Sequence, residues 1–563
     1  MDRRRFIAAG LGTAWAAAGC QPEGHGAASN PLELGDTSHI RGAMTGVQPE
    51  RGHLLRDQLQ RGADWPAPQR TFKTEVLIAG GGVAGLAAAR ALRLQGLDDF
   101  ALLEMEDSAG GNSRCGMLGG VACPLGAHYL PLPGDDAPEV QDFLEELGLR
   151  QRVAGRWQYD ERHLCHSPQE RLFFQGEWQD GLLPVQGVEA QTLAQYQRFA
   201  DLVEHQRTTS RWTLPVSNQP LALAKQALAA ITFEAYLNQN GLSDAHLRWY
   251  LDYCCRDDYG AGIAIVSAWA GLHYFASRHG FHAPGAQVAE REGLLTWPEG
   301  NAWLTARLAK PLGERLHTAR TVLRIAQTRH AVEMDVLNAN SGEMERWHAR
   351  RAVVALPIFL AARVVQDAPD FLRLAARRLV YAPWLVANIH VGQALHDRPG
   401  PAPCWDNVVY GTQGLGYVDA SHQNLQTVPG ATVLTHYRAL ADLPAAEGRR
   451  LLLERPWAVW RDEVLAELAQ AHPDLVRKTT AVELSRYGHA MAVPVPAAHG
   501  QIGHWPSQNK RSQLSKTERS DGEYPARQTA TWNRLSFAHS DWAGYSVFEE
   551  AFTAGHAAAG WRS

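Results

Sequence analysis

The sequence predicts an α/β protein, a Rossmann-like nucleotide-binding domain with an α+β substrate domain interleaved through it. Three observations carry this. "TEVLIAG" (74–80) is a short, continuous apolar run, followed at once by spaced glycines and the apolar helix pattern "VAGLAAARALRLQG". Strand-like runs return after a long stretch of helical pattern, so strands and helices alternate along the chain. At 563 residues the chain is too long for one ordinary core.

The elements follow in order. "TEVLIAG" reads as a buried strand, "VAGLAAARALRLQG" as a helix closed by Gly96, and "FALLEM" as a second buried strand, which makes a β-α-β unit. Residues 137–285 read as mostly helical, with many aromatics. Within them "GAGIAIVSAWAGLHYFA" (260–276) contains Ser267 and His273 and is too short to span a bilayer, so it reads as a buried core helix. "CCRDDYG" (254–260) ends another helix, where Asp257 and Asp258 read as a solvated helix end or, on the functional reading, as an acidic pair for a cationic substrate. Strands return at "TVLRIAQT", "AVEMDVL" and "RRAVVALP", then at "LVANIHV" and "ATVLTHY". Residues 505–529 are polar and read as an exposed loop. The chain then closes with a strand, "RLSFAHS", and the helix "SVFEEAFTAGHAAAGW".

This gives an export signal (1–20), a tether and irregular arm (21–71), and nucleotide-binding parts at 72–135, 286–365 and 487–563. The substrate-domain parts are 136–285 and 366–486.

Composition excludes some classes of function. The apolar fraction is 45% and the charged fraction 20%, as in globular proteins. A net charge of -5 carries no nucleic-acid footprint, and no nucleic-acid partner is expected. There is no CxxC, so neither a thiol redox pair nor a bound metal is expected. Adjacent Cys254 and Cys255 read as buried small apolar side chains.

Gly80, Gly82 and Gly85 form G-x-G-x-x-G between a strand and a helix, the context the motif requires. Gly80 permits the tight turn, Gly82 close approach of backbone to a pyrophosphate, and Gly85 close packing of helix on strand. Glu104, at the end of the second strand, suits ribose hydroxyls and repels a 2′-phosphate.

Gly110-Gly111 after that strand resembles the glycine doublet of the flavin-containing amine oxidase superfamily. "PLGAHY" (124–129) resembles the loop that passes beside the flavin ring. "TVLRI" (321–325) resembles the strand whose valine backbone bonds adenine. "FAHSDWAGYSVFEEAFTAG" (537–555) resembles the closing motif, matched by Phe537, Ala538, Gly544, Glu549, Ala551 and Gly555. The resemblance covers roughly residues 72–563. It implies an amine-oxidase type of FAD domain, with non-covalent FAD held by Gly80, Gly82, Val83, Ala84, Gly85, Glu104, Gly110, Gly111, Asn112, Arg114, Gly126, Ala127, His128, Val322, Ser540, Asp541, Tyr545 and Ser546. It also implies a final helix whose N-terminus faces the flavin pyrimidine edge. His539, Ser540 and Glu550 depart from the closing motif, and Asn112 stands where the family has Arg, with Arg114 near enough to serve the pyrophosphate.

The family chemistry is hydride transfer from a C–H next to nitrogen, with oxygen or a quinone as electron acceptor. The lysine that usually holds a water beside the flavin is absent, because no lysine occurs between Lys310 and Lys478. His128 and His489 are the candidates to replace it, as imidazoles able to take a proton near neutral pH, with Tyr487 as an aligning aromatic. A desaturase or porphyrinogen-oxidase type of flavoprotein, and a non-catalytic FAD-binding lipoprotein, are the alternatives.

"MDRRRFIAAGLGTAWAAAGC" resembles a twin-arginine export signal ending in a lipobox, with Cys20 as the lipidated residue. It implies a periplasmic or cell-envelope lipoprotein that meets the membrane only through its lipid. A folded export route explains how a dinucleotide site leaves the cytoplasm with its cofactor bound.

Overall fold

The computed structural model describes residues 34–61, 65–216, 223–285, 293–423, 428–496 and 530–560. The proposed signal, Cys20, and the polar stretch 505–529 lie outside these residues.

The nucleotide-binding domain is built on a six-stranded sheet. Its order is Leu316–His317, Phe100–Leu103, Val76–Ala79, Arg351–Val354, Leu535–Phe537 and Thr531–Trp532, all parallel except the last pair. The central strand "VLIA" is fully buried because both faces are covered, which is why it reads as an unbroken apolar run. Val76 and Ile78 pack under the helix Val83–Leu94 and the final helix Phe548–Ala558. Leu77 and Ala79 face the other layer, a four-stranded sheet of Arg320–Gln327, Val332–Asn338, Met344–Ala349 and Arg70–Lys73.

Glycine sets the helix spacing. A Cβ at Gly85 would lie 1.9 Å from the Gly80 carbonyl oxygen, and one at Gly555 would lie 2.0 Å from that of Ala84. The final helix therefore rests directly on helix Val83–Leu94, and the residues at its N-terminus border a cavity beside the glycine loops.

The second domain is an eight-stranded sheet, ordered Arg41–Thr45, Thr479–Val493, Val380–Val391, Thr432–Ala439, Tyr417–Asp419, Asp406–Val409, Glu170–Phe174 and Glu177–Asp180. One face carries the helices between 190 and 276 over an aromatic core, and the other carries Ala445–Glu454 and Trp457–Ala469.

Four expectations change. The arm within 21–71 is not irregular, for its described part holds strand Arg41–Thr45, helix Pro49–Arg61 and strand Arg70–Lys73. Nothing local announces that first strand. "RGAMT" has no apolar alternation, and it is held by parallel pairing with Ala481–Ser485. The stretch 137–285 includes four short strands between Arg150 and Asp180. The run 260–276 is helical only from Ala268, because Gly260 closes the previous helix at φ +69° and Ser267 caps the next, its hydroxyl accepting from Ala270 N–H. Strand Thr479–Val493 runs unbroken through position 487, where a domain boundary was drawn.

Candidate active site

A cavity of about 470 Å³ runs from the glycine loops into the second domain. At its nucleotide end the strand stops at Ala79, and Gly80 (φ +100°) turns the chain into the helix. Gly82 is the N-cap and no side chain caps this end, so the first backbone N–H groups lack intrahelical partners. They lie in the cavity wall with Gly82, Val83 and Ala84. The second glycine loop closes on the first, with Gly110 N–H donating to the Gly81 carbonyl at 2.7 Å. Glu104 is buried and accepts from Gly81 N–H (2.7 Å) and Glu106 N–H (2.8 Å). Burial pushes its carboxyl up, while those two donors and Arg114 oppose the rise.

Arg114 donates to Gly46 O (2.9 Å), Gly111 O (3.1 Å) and Glu106 (3.4 Å). It lines the cavity, but its donors serve the arm and the doublet rather than standing free for a pyrophosphate. Arg51 of the arm reaches Met105 O and Asp107 and lines the same end. Val322 also lines this end, at a register shift between Val322 and Arg324 that interrupts the sheet ladder.

The loop Gly126–Tyr129 borders the middle of the cavity. Tyr487 OH donates to Leu125 O (2.7 Å), Tyr437 OH to Gly126 O (2.9 Å), and Ala127 N–H to Asn112 O (2.8 Å). Asn112 in turn donates to Ala490 O at 2.7 Å. The His128 ring stacks on Tyr437 at 4.3 Å, and burial pushes its imidazole down to about 3. His489 stacks on Phe359 at 4.4 Å, and enclosure, helped by Arg449 and Arg363, pushes it down to about 4. Both histidines line the cavity, in separate aromatic clusters. Both are neutral at neutral pH, and neither has the near-neutral pKa expected of it.

Asp541 is buried and accepts from Ile358 N–H (2.9 Å) and Tyr381 OH (2.6 Å), with His539 at 3.1 Å. Burial works against its charge, but His539, Tyr381 and Ile358 hold its carboxyl below the usual range. Ser540 lines the cavity, and so does Ser546, which accepts from Ala492 N–H. Tyr545, expected among the FAD-binding residues, is turned away. Gly544 (φ +85°) reverses the chain before it, and its ring is fully buried against Tyr259 and His273, with its hydroxyl on Glu550. Gly85 sets helix–strand packing and does not line the cavity.

No lysine stands among the described residues lining the cavity; strand Val380–Val391 presents Tyr381, Trp384 and Val386 there. Asp257 and Asp258 also line the cavity and are not a solvated helix end. A signal for this was present. Leu247, Leu251, Cys254 and Asp258 are spaced 4, 3 and 4 apart, so Asp258 continues the buried stripe of its helix.

Burial and neighbouring Asp258 push Asp257 up to about 7, against Arg278, Tyr129 and Arg256. A folded pKa raised from 3.8 means the protein holds a proton that the unfolded chain releases. Stability is therefore full below 3.8 and is lost as pH rises through about 7. The displacement is worth on the order of 4 kcal/mol. Asp257→Asn should remove this loss, so its Tm relative to wild type should rise from pH 5 to pH 8. Parallel profiles in thermal melts would refute it.

Fold and site together define a dinucleotide-dependent oxidoreductase with its reaction chamber between a nucleotide domain and a substrate domain. The chain belongs to the flavin containing amine oxidoreductase family, whose model matches residues 83–560, and its cofactor is FAD. The solved structure of putrescine oxidase bound to putrescine superposes with a TM-score of 0.62 at 17% identity, covering 87% of this chain and 98% of that one. Cyclohexylamine oxidase from Brevibacterium oxydans IH-35A gives 0.58 at 16%, covering 86% and 98%. The Baeyer-Villiger monooxygenase peniC of Penicillium patulum is 38% identical over 113 residues, which span 19% of this chain and 18% of that protein.

The residues present fit FAD. A Cβ on Gly82 would meet only the Gly111 Cα, at 3.9 Å, so the space before the uncapped helix is open to a pyrophosphate. Thr321, 6% exposed in the cavity wall beside Val322, carries a hydroxyl without a hydrogen-bond partner.

Proposed function

We propose that this flavoprotein oxidises an amine at the carbon bound to nitrogen, and that oxygen or a quinone removes the electrons. The observation that supports it is one continuous cavity joining the glycine loops to the neutral imidazole of His128, the rings of Tyr437 and Tyr487, and the acidic wall at Asp257. The Val83 and Ala84 N–H groups would hold the pyrophosphate, Glu104 the ribose, and the Val322 backbone the adenine. Bound FAD supplies the hydride acceptor. The protein's part is to strip water and orient the substrate. Neutral His128 accepts a hydrogen bond from the amine without presenting a charge, while Tyr437, stacked behind it, fixes the ring plane.

The test is anaerobic titration of the purified protein with amines, amino acids and polyamines. Bleaching of the flavin absorbance by an amine is the expected result. A flavin that no amine reduces would overturn the reading.

The protein is further proposed to work in the cell envelope, exported by the twin-arginine pathway and anchored through Cys20, as Arg3-Arg4 and the small residues before Cys20 suggest. Cys20→Ala should release it from membranes while leaving it folded. Wild-type protein found wholly in the cytosolic fraction would refute the anchor.

A further inference from the structure

We propose that the arm is itself part of the cofactor site: helix Pro49–Arg61 covers the adenosine half of FAD, and Arg51 is a ligand to that half. The arm precedes residues 83–560, which the family model matches, and it carries none of the glycine motifs, so the family resemblance assigns it no part in binding. The proposal rests on the placement of FAD given above, which flavin loss in Gly82→Val tests separately.

Val47, Arg51 and Gly52 line the cavity together with Glu104, Met105 and Glu106. The arm is fastened at this point. Gln48 N–H donates to Glu106 Oε1 at 3.1 Å, and Arg114 donates to the Gly46 carbonyl at 2.9 Å. Arg51 Nη1 donates to Met105 O at 3.0 Å and to Asp107 Oδ1 at 2.8 Å. Glu106 and Arg114 are both buried, so the arm docks on a buried ion pair. On the other side, strand Arg41–Thr45 pairs with Ala481–Ser485, and His53 lies near enough to Arg486 and His489 to feel their charge. The arm therefore bridges the two domains at the nucleotide end of the cavity.

The donors at this end outnumber the acceptors that the protein offers them. Both Arg51 bonds use Nη1, and its Nε and Nη2 make no hydrogen bond among the described residues. Arg320 Nε and the Thr321 hydroxyl are buried without a hydrogen-bond partner, and both residues line the cavity. The nearby carboxylates are already engaged. Glu104 accepts from Gly81 and Glu106 N–H, and Glu345 accepts from Asn338 and the Trp347 indole. A buried donor left unmatched is costly, and a ligand rich in acceptor oxygens meets that need. The ribose and phosphate oxygens of a nucleotide are such acceptors, and a guanidinium presents donors in the geometry that suits them.

The test incubates full-length holoprotein with FMN or with ADP and measures the FAD released. FMN lacks the adenosine half of FAD, whereas ADP contains it. Arg51→Ala should lower the FMN concentration that displaces half of the FAD by about 10-fold or more. ADP should keep its wild-type potency, because it loses the same contact that FAD loses. Gly42→Val should act alike from a distance. Gly42 does not line the cavity, and a Cβ there would lie 1.7 Å from the Val482 carbonyl oxygen, which forces the arm strand off the sheet. A melting curve checks that each variant folds, and Arg51→Ala carries the test if Gly42→Val does not. Unchanged FMN potency in Arg51→Ala would overturn the proposal. So would FMN and ADP gaining potency alike, since that marks a general loosening of the site.

Discussion

Gly82→Val should purify as a folded but colourless protein. Gly82 sits at φ -70°, where any residue is comfortable, so the substitution brings no backbone strain. The nearest atom to a new Cβ is the Gly111 Cα at 3.9 Å, so the added methyl groups project into the cavity rather than into protein. They would fill the space before the free N–H groups of the helix, where an anion is best stabilised. Gly80→Ala is the contrasting case. There φ is +100° and a Cβ would lie 2.3 Å from the Ala355 carbonyl oxygen, so the fold itself should suffer. The ratio of flavin to protein absorbance, read beside a melting curve, separates the two. Full flavin content in Gly82→Val would show that the pyrophosphate lies elsewhere.

His128→Ala should slow anaerobic flavin reduction by about 10²-fold while flavin content stays at the wild-type level. An imidazole held down to about 3 is a weak proton acceptor, so its contribution is orientation through a ring fixed by Tyr437. The pH profile of reduction between 5 and 8 should therefore keep its shape in the variant, since His128 does not change charge in that range. Stopped-flow reduction at several pH values checks both parts. A wild-type rate, or the loss of a titration near neutrality, would contradict this role.

The nucleotide half was legible because its constraints are local. A four-residue strand buried on both faces must be apolar, a helix packed on carbonyl oxygens must carry glycine, and both leave their mark within a dozen positions. The substrate half was less so. Its sheet pairs strands that lie hundreds of residues apart, and the sequence of "RGAMT" holds no record of its partner. His128 was found in the loop beside the flavin and His489 just ahead of the closing motif, but their protonation depends on burial among rings from distant segments, Tyr437 and Trp405 for one and Phe359 for the other. Asp258 carried a legible helical register that a reading of charge alone overrode. Tyr545 was misplaced by following the motif, since one left-handed glycine turns it into the helical core.

The pairing of the arm with strand Thr479–Val493 bears on how the molecule matures. Arg41 meets Ala481, 440 positions further along the chain. On a growing polypeptide the arm waits, without its docking partner, until most of the protein has left the ribosome. When it docks, Gln48, Arg51 and the Gly46 carbonyl fasten onto Glu106, Asp107 and Arg114 at the nucleotide end of the cavity. The nucleotide end of the cavity is therefore completed by a segment near the start of the chain that is held in place by a strand near its end.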